Sequence, residues 1–153
     1  MTLFELSNLV ILPFWLLMVL LPHWGGTRTL VSSPWIVVPP ALIYVVALWP
    51  VAGAVLPAVM QPQLADVARL LGTPTGATIA WAHFVALDLF VGRWVYLDSR
   101  ARGFSAWWVS PVLVVCLLLC PAGLLLYLAF RAGSEGWRCC RHDGMRGGPF
   151  TGH

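Results

Sequence analysis

The chain has 153 residues, of which 59% are hydrophobic and 10% charged, with nine Arg, no Lys, six acids and a net charge of +3. A soluble domain carries roughly 25% charged residues and one this small leaves about a third of its surface in water. A mean hydropathy of +0.83 therefore excludes a soluble fold, and it excludes disorder of the chain's body. Four Cys are too few for a disulfide scaffold, and no basic stripe interleaved with aromatics speaks for nucleic acid. What remains is an integral membrane protein, with the lipid bilayer as its first partner.

In chain order, the first apolar run covers about residues 3–21 and stops at Pro22. Thr2 and Glu5 have capping-box spacing, so a helix begins at once. The start carries an acid where a signal peptide has a basic region, and no Arg- and Ser-rich transit peptide precedes the run. Both features fit a bacterial or already mature protein. The second run covers about residues 35–60. Pro39 and Pro40 suit a first helical turn, whereas Pro50 and Pro57 each remove a backbone hydrogen bond, which predicts a kinked span or two half-helices. Between residues 61 and 76, Leu64, Val67, Leu70 and Leu71 recur at helical spacing opposite Asp66 and Arg69, as in an interfacial or surface helix.

The third run covers about residues 77–97. The fourth is expected over 111–130, with Ser110 as N-cap, Pro111 in the first turn, and Arg131 and Gly133 closing it. The Gly- and Arg-rich residues 132–153 read as a disordered tail. The expected fold class is thus all-α: an integral membrane four-helix bundle with a kinked second span. Four spans place both ends on one side. Arg69, Arg131, Arg138, Arg141 and Arg146 on that side, against Arg28, Arg100 and Arg102 with Arg93 near a helix end, give a weak vote for cytoplasmic termini, as in a bacterial inner membrane.

Polar groups at bilayer depth are costly and mark function. The third run holds His83, Asp88, Arg93 and Asp98 at intervals of five. Five residues turn a helix by about 500°, so successive members rotate by roughly 140° and share no stripe. Asp88 sits near mid-span and needs Arg93, another helix or a proton. Glu5 and Asn8 lie three apart on one face of the first run. With the first and third runs parallel, a cluster of Glu5, Asn8, His83 and Asp88 is expected, with Arg93 and Asp98 nearer the other face. The bland alternatives are that Glu5 caps its helix, that Arg93 and Asp98 anchor at the interface, and that Asp88 pairs with Arg93 to hold the bundle together. Trp81 and Trp94 offer flat surfaces to a ligand. Cys116 and Cys120 read as packing residues. Cys139, Cys140, His142 and His153 lack zinc-site spacing, so no metal is expected.

The stretch Trp81-x-His83-x-x-Ala86-x-Asp88-Leu89-Phe90-Val91-Gly92-Arg93-Trp94 resembles the signature of the abscisic acid-deficient-4-like, or neoxanthin synthase-like, membrane proteins. Phe4-Glu5-Leu6-Ser7-Asn8, Ser110-Pro111 and residues 121–128 resemble other parts of that family, so the similarity covers about residues 3–131. Cys120 stands where the family pattern has Gly. The resemblance implies a four-span protein of carotenoid (xanthophyll) metabolism, with a hydrophobic isoprenoid or carotenoid ligand and no cofactor. In plants the family is tied to conversion of violaxanthin to neoxanthin, an isomerisation that needs one acid and one base. Asp88 or Glu5 would then hold the proton, His83 would act as base or exchange roles with that acid, and Arg93 would orient a carboxylate or steady the departing oxygen. Asn8, Trp81 and Trp94 would hold the substrate. The alternative is a non-catalytic pigment-binding or assembly subunit with membrane-protein partners.

Overall fold

The structure, a computed structural model, describes residues 2–144, with side chains described through residue 134. Among the described residues it is all-α, with eight α-helices and two short 3-10 turns. The first run folds as α1 (Leu3–Leu20), and its start is the capping box that the sequence predicts. The Glu5 amide donates to Thr2 Oγ1 at 3.2 Å, and the Thr2 amide donates to Glu5 Oε2 at 2.8 Å. A short helix, α2 (Gly25–Ser32), follows.

The second run divides as expected at Pro50. A 3-10 turn at Pro34–Val37 leads into α3 (Val38–Leu48), with Pro39 and Pro40 in its first turn. A second 3-10 turn at Trp49–Val51 absorbs Pro50 and passes the chain to α4 (Ala52–Met60). Pro57 lies inside α4 without ending it. The amphipathic stretch folds as α5 (Leu64–Leu71), where Arg69 meets Asp66 at 3.5 Å. The third run is the long helix α6 (Pro74–Ala101), started by Thr73, whose Oγ1 accepts from the Gly76 amide at 3.0 Å.

The last run departs from the expectation. Helix α7 (Ala106–Leu118) begins four residues before Ser110, and Pro111 lies inside it. Ser110 caps nothing, because its hydroxyl donates instead to the Val19 carbonyl of α1 at 3.1 Å. At Leu119 the backbone leaves the helical region (φ −144°, ψ 73°), and α8 (Cys120–Gly144) runs back the other way. The reversal is fixed by contacts along both arms. A Cβ on Gly123 would lie 2.5 Å from the Cys116 amide nitrogen, and Trp108 stacks on Phe130 with ring centroids 6.3 Å apart. Pro121 falls in the first turn of α8, where its missing N–H costs nothing. The expected fourth span is therefore a helical hairpin. Its arm α7 is 13 residues, about 20 Å long, shorter than a hydrocarbon core of about 30 Å. Three other stretches, Leu3–Leu20, Pro34–Met60 and Pro74–Ala101, are long and apolar enough to cross a membrane.

Helix α6 is the axis on which the others are arranged. Helix α1 runs parallel to it: Phe4 packs on Trp81 at 5.6 Å, Trp15 lies over Gly92, and Tyr96 donates to the Pro22 carbonyl at 2.9 Å. Helix α3 runs antiparallel, bringing Tyr44 to His83. Helix α8 again runs parallel, since Cys120 lies beside Asp88 near the middle of α6 and Tyr127 donates to Asp98 near its end. Consequently α1 begins at one end of the molecule and α8 finishes at the other. This corrects the expectation of both ends on one side, which assumed that the last run crosses the molecule completely. Helix α8 also continues past the expected boundary at Arg131 to Gly144, and the rest of the expected tail lies outside the described residues.

Candidate functional site

The five-residue spacing on α6 sends each polar side chain to a different neighbour. His83 faces α3, where its ring lies 5.2 Å from that of Tyr44 and 6.2 Å from that of Phe84. Val37, Ala41, Tyr44, His83, Ala86, Leu87 and Phe90 line a groove of about 330 Å³ between α3 and α6. His83 is exposed there, and no hydrogen bond holds its imidazole among the described residues. The remaining lining is apolar apart from the Tyr44 phenol, so an occupant meets hydrocarbon on most sides and two proton-active groups at one end.

Asp88 is turned away from this groove toward the tip of the α7–α8 hairpin, where the Cys120 thiol lies beside it. Arg93 does not pair with Asp88: its Nε donates to the Val31 carbonyl at 2.8 Å and its Nη2 to the Ser32 carbonyl at 2.5 Å. It thereby satisfies carbonyls at the end of α2 that helix geometry leaves unpaired. Asp98 accepts from Tyr127 at 2.5 Å and from Arg102 at 2.8 Å, with Arg131 at 3.6 Å. That network ties α6 to α8 at the hairpin's base.

The expected cluster of Glu5, Asn8, His83 and Asp88 does not form. Glu5 is occupied in the α1 capping box. Asn8 Oδ1 accepts from Trp81 Nε1 at 2.9 Å and its Nδ2 donates to the Phe4 carbonyl at 2.9 Å. Trp81 is thus a bridge between α6 and α1. Trp94 stands edge-on to Tyr127 at 5.7 Å, as part of the α6–α8 contact. Cys139, Cys140, His142 and His153 lie outside the residues whose side chains are described.

Tyr44 escaped the sequence reading. A signal for it exists: it is the only side chain carrying a hydroxyl between Trp35 and Met60, and a lone phenol in so apolar a run has to point somewhere useful. Cys120, which the sequence presents as a packing residue, lies beside Asp88, and Tyr127, which carries no expected role, donates to Asp98.

These features define an all-α protein with three stretches able to cross a membrane, a half-length helical hairpin, and one apolar groove holding an imidazole. The resemblance carried by the third run is borne out: the description ABA DEFICIENT 4-like matches residues 2–127, and the chain belongs to that family. It is 26% identical over 135 residues to Protein ABA DEFICIENT 4, chloroplastic, of Arabidopsis thaliana, an alignment covering 84% of this chain and 60% of the relative. The chain therefore spans about 60% of the length of that relative. The relative is a chloroplast protein by name, which lends no support to a bacterial inner-membrane setting. No solved structure matches the chain.

Proposed function

We propose that this chain is an integral membrane protein of carotenoid (xanthophyll) metabolism that isomerises a carotenoid end group in the α3–α6 groove by proton transfer alone. The observation that carries the reading is the imidazole of His83, exposed in an otherwise apolar groove beside Tyr44. Asp88, Arg93 and Glu5 are each engaged by structural partners. An isomerisation of the violaxanthin-to-neoxanthin type requires a proton delivered to the epoxide oxygen and one removed from the adjacent polyene carbon. The ring C–O bond breaks, the allene forms, and no electrons are gained or lost overall. In this reading the Tyr44 phenol donates the first proton and His83 accepts the second. A proton passed from His83 back to Tyr44 closes the cycle. Leu87, Phe90 and Val37 exclude water, so that the cationic carbon is not captured by a hydroxyl.

The test is expression in a violaxanthin-producing host, with pigments separated by chromatography. The wild-type chain yields a neoxanthin-type product, His83→Ala yields none, and Asp88→Asn still yields it. Product formation by His83→Ala would remove the imidazole from the chemistry. A second reading, a pigment-binding subunit without chemistry, is favoured by the structural engagement of three of the four expected catalytic side chains. It is distinguished by a protein that retains carotenoid while the pigment profile stays unchanged.

A further inference from the structure

The cations of the described chain are gathered at the end where α6 finishes. Arg93, Arg100 and Arg102 lie on or just after the last turns of α6, Arg131 joins them through Asp98, and Arg28 comes from α2. Helix α2 is held there by Arg93 and by the loop whose Pro22 carbonyl accepts from Tyr96. Among the described side chains only Arg69 stands at the opposite end, and it pairs with Asp66. Three of the five gathered arginines are also engaged: Arg93 with backbone carbonyls, and Arg102 and Arg131 with Asp98. Arg28 and Arg100 form no ion pair with any described carboxylate, and both lie within electrostatic range of the Tyr96 hydroxyl.

The same end of the molecule holds a cleft of about 540 Å³ between the end of α1 and the start of α7. Val19, Leu20, Pro111 and Val114 form its apolar wall, and His23 and Trp107 stand at its mouth. Pro22, whose carbonyl receives the Tyr96 hydroxyl, is part of the same lining; Arg28 follows the lining residue His23 by five positions, and Arg100 lies one helical turn beyond Tyr96. Trp24, Trp107 and Trp108 are exposed at this end, with Trp107 at 88%, as interfacial tryptophans are.

We propose that this cleft is a binding site for an anionic phospholipid. One acyl chain lies along Val19, Leu20 and Val114, and the phosphate faces Arg28 and Arg100, with His23 beside it. Charge selects the occupant. A zwitterionic phospholipid fills the apolar wall equally well but gains little from two unopposed guanidinium groups, and a free phosphate gains from the arginines but leaves the wall bare. The inference rests on membrane insertion as proposed above and is independent of the isomerase chemistry.

The experiment uses the full chain in nanodiscs of phosphatidylcholine with or without phosphatidylglycerol, reading retained lipid by native mass spectrometry after detergent exchange. Phosphatidylglycerol is retained preferentially by the wild type. The Arg28→Gln, Arg100→Gln double variant loses roughly 30-fold in that preference, and Val114→Trp lowers retention of both lipids. Arg69→Gln, at the other end, behaves as wild type. Equal retention of the two lipids by the wild type, an unchanged preference in the double variant, or full displacement of the retained phosphatidylglycerol by inorganic phosphate alone would each overturn the proposal. Pigment conversion is read in the same preparations, so loss of the lipid site and loss of the isomerase reading register separately.

Discussion

Gly92 shows why the third run reads as it does. A Cβ there would sit 2.5 Å from Cη2 of Trp15, whose ring is 1% exposed. Only a glycine lets the indole lie flat against α6, and Trp15 has no room to retreat. Gly92→Ala should cost about 1–3 kcal/mol of stability, as overpacking does, seen as a lower thermal midpoint in detergent. Tyr127 is the second such residue. It is 1% exposed and donates to Asp98, and hydrogen bonds to charged groups contribute about 1.5–3 kcal/mol. Tyr127→Phe should destabilise by an amount in that range while leaving pigment conversion intact, and a loss of conversion without loss of stability would contradict its structural role. The rotation between His83, Asp88, Arg93 and Asp98 was legible in their spacing. What each one meets was not, because that depends on which helix packs against each face of α6, and spacing along one helix carries no information about its neighbours.

At the scale of elements, the starts and proline breaks of the first three runs could be read locally, since capping boxes, first-turn prolines and interior prolines act within a few residues. The α7–α8 hairpin could not be read from hydropathy, because a reversal between two apolar segments leaves the hydropathy unbroken. Its signals were Pro121, which suits a first turn, and Gly123, which permits close approach to Cys116. The hairpin has a direct consequence. Trp108 and Phe130 are 22 positions apart in sequence, about 33 Å along a continuous helix, yet their rings lie 6.3 Å apart. Cysteines at these two positions, in a background with the native cysteines removed, should be joined by a short bifunctional reagent in the folded protein. Failure to cross-link alongside an efficient control pair would restore the continuous fourth span.

For the whole molecule, placing α7 and α8 as a hairpin redistributes charge. Five of the six arginines with described side chains now share one end, and the start of α1 stands at the other. The expectation of cytoplasmic termini came from counting Arg131 and the arginines after it with Arg69. Geometry moves Arg131 to the opposite count, and the bias toward one face becomes strong. A tag before α1 and a tag after α8 should be digested from opposite sides of sealed vesicles, with the α8 tag on the positive-inside face. Digestion of both from the same side would contradict the fold. The family was legible chiefly in residues 81–94, where this chain gathers Gly92, three polar side chains and several aromatics in one stretch. The location of the groove was not, because α3 supplies half of it.

The central claim is that a polyene ligand occupies the space between α3 and α6. It is tested most directly by the visible absorption and circular dichroism of the chain purified from xanthophyll-producing cells, compared with Leu87→Trp. Leu87 lines the groove and is 50% exposed, so a larger ring there blocks the groove without disturbing the core. The wild type should carry carotenoid with an induced dichroic band, and the folded Leu87→Trp variant should carry almost none. Equal pigment and an equal band in the folded variant would place the ligand elsewhere.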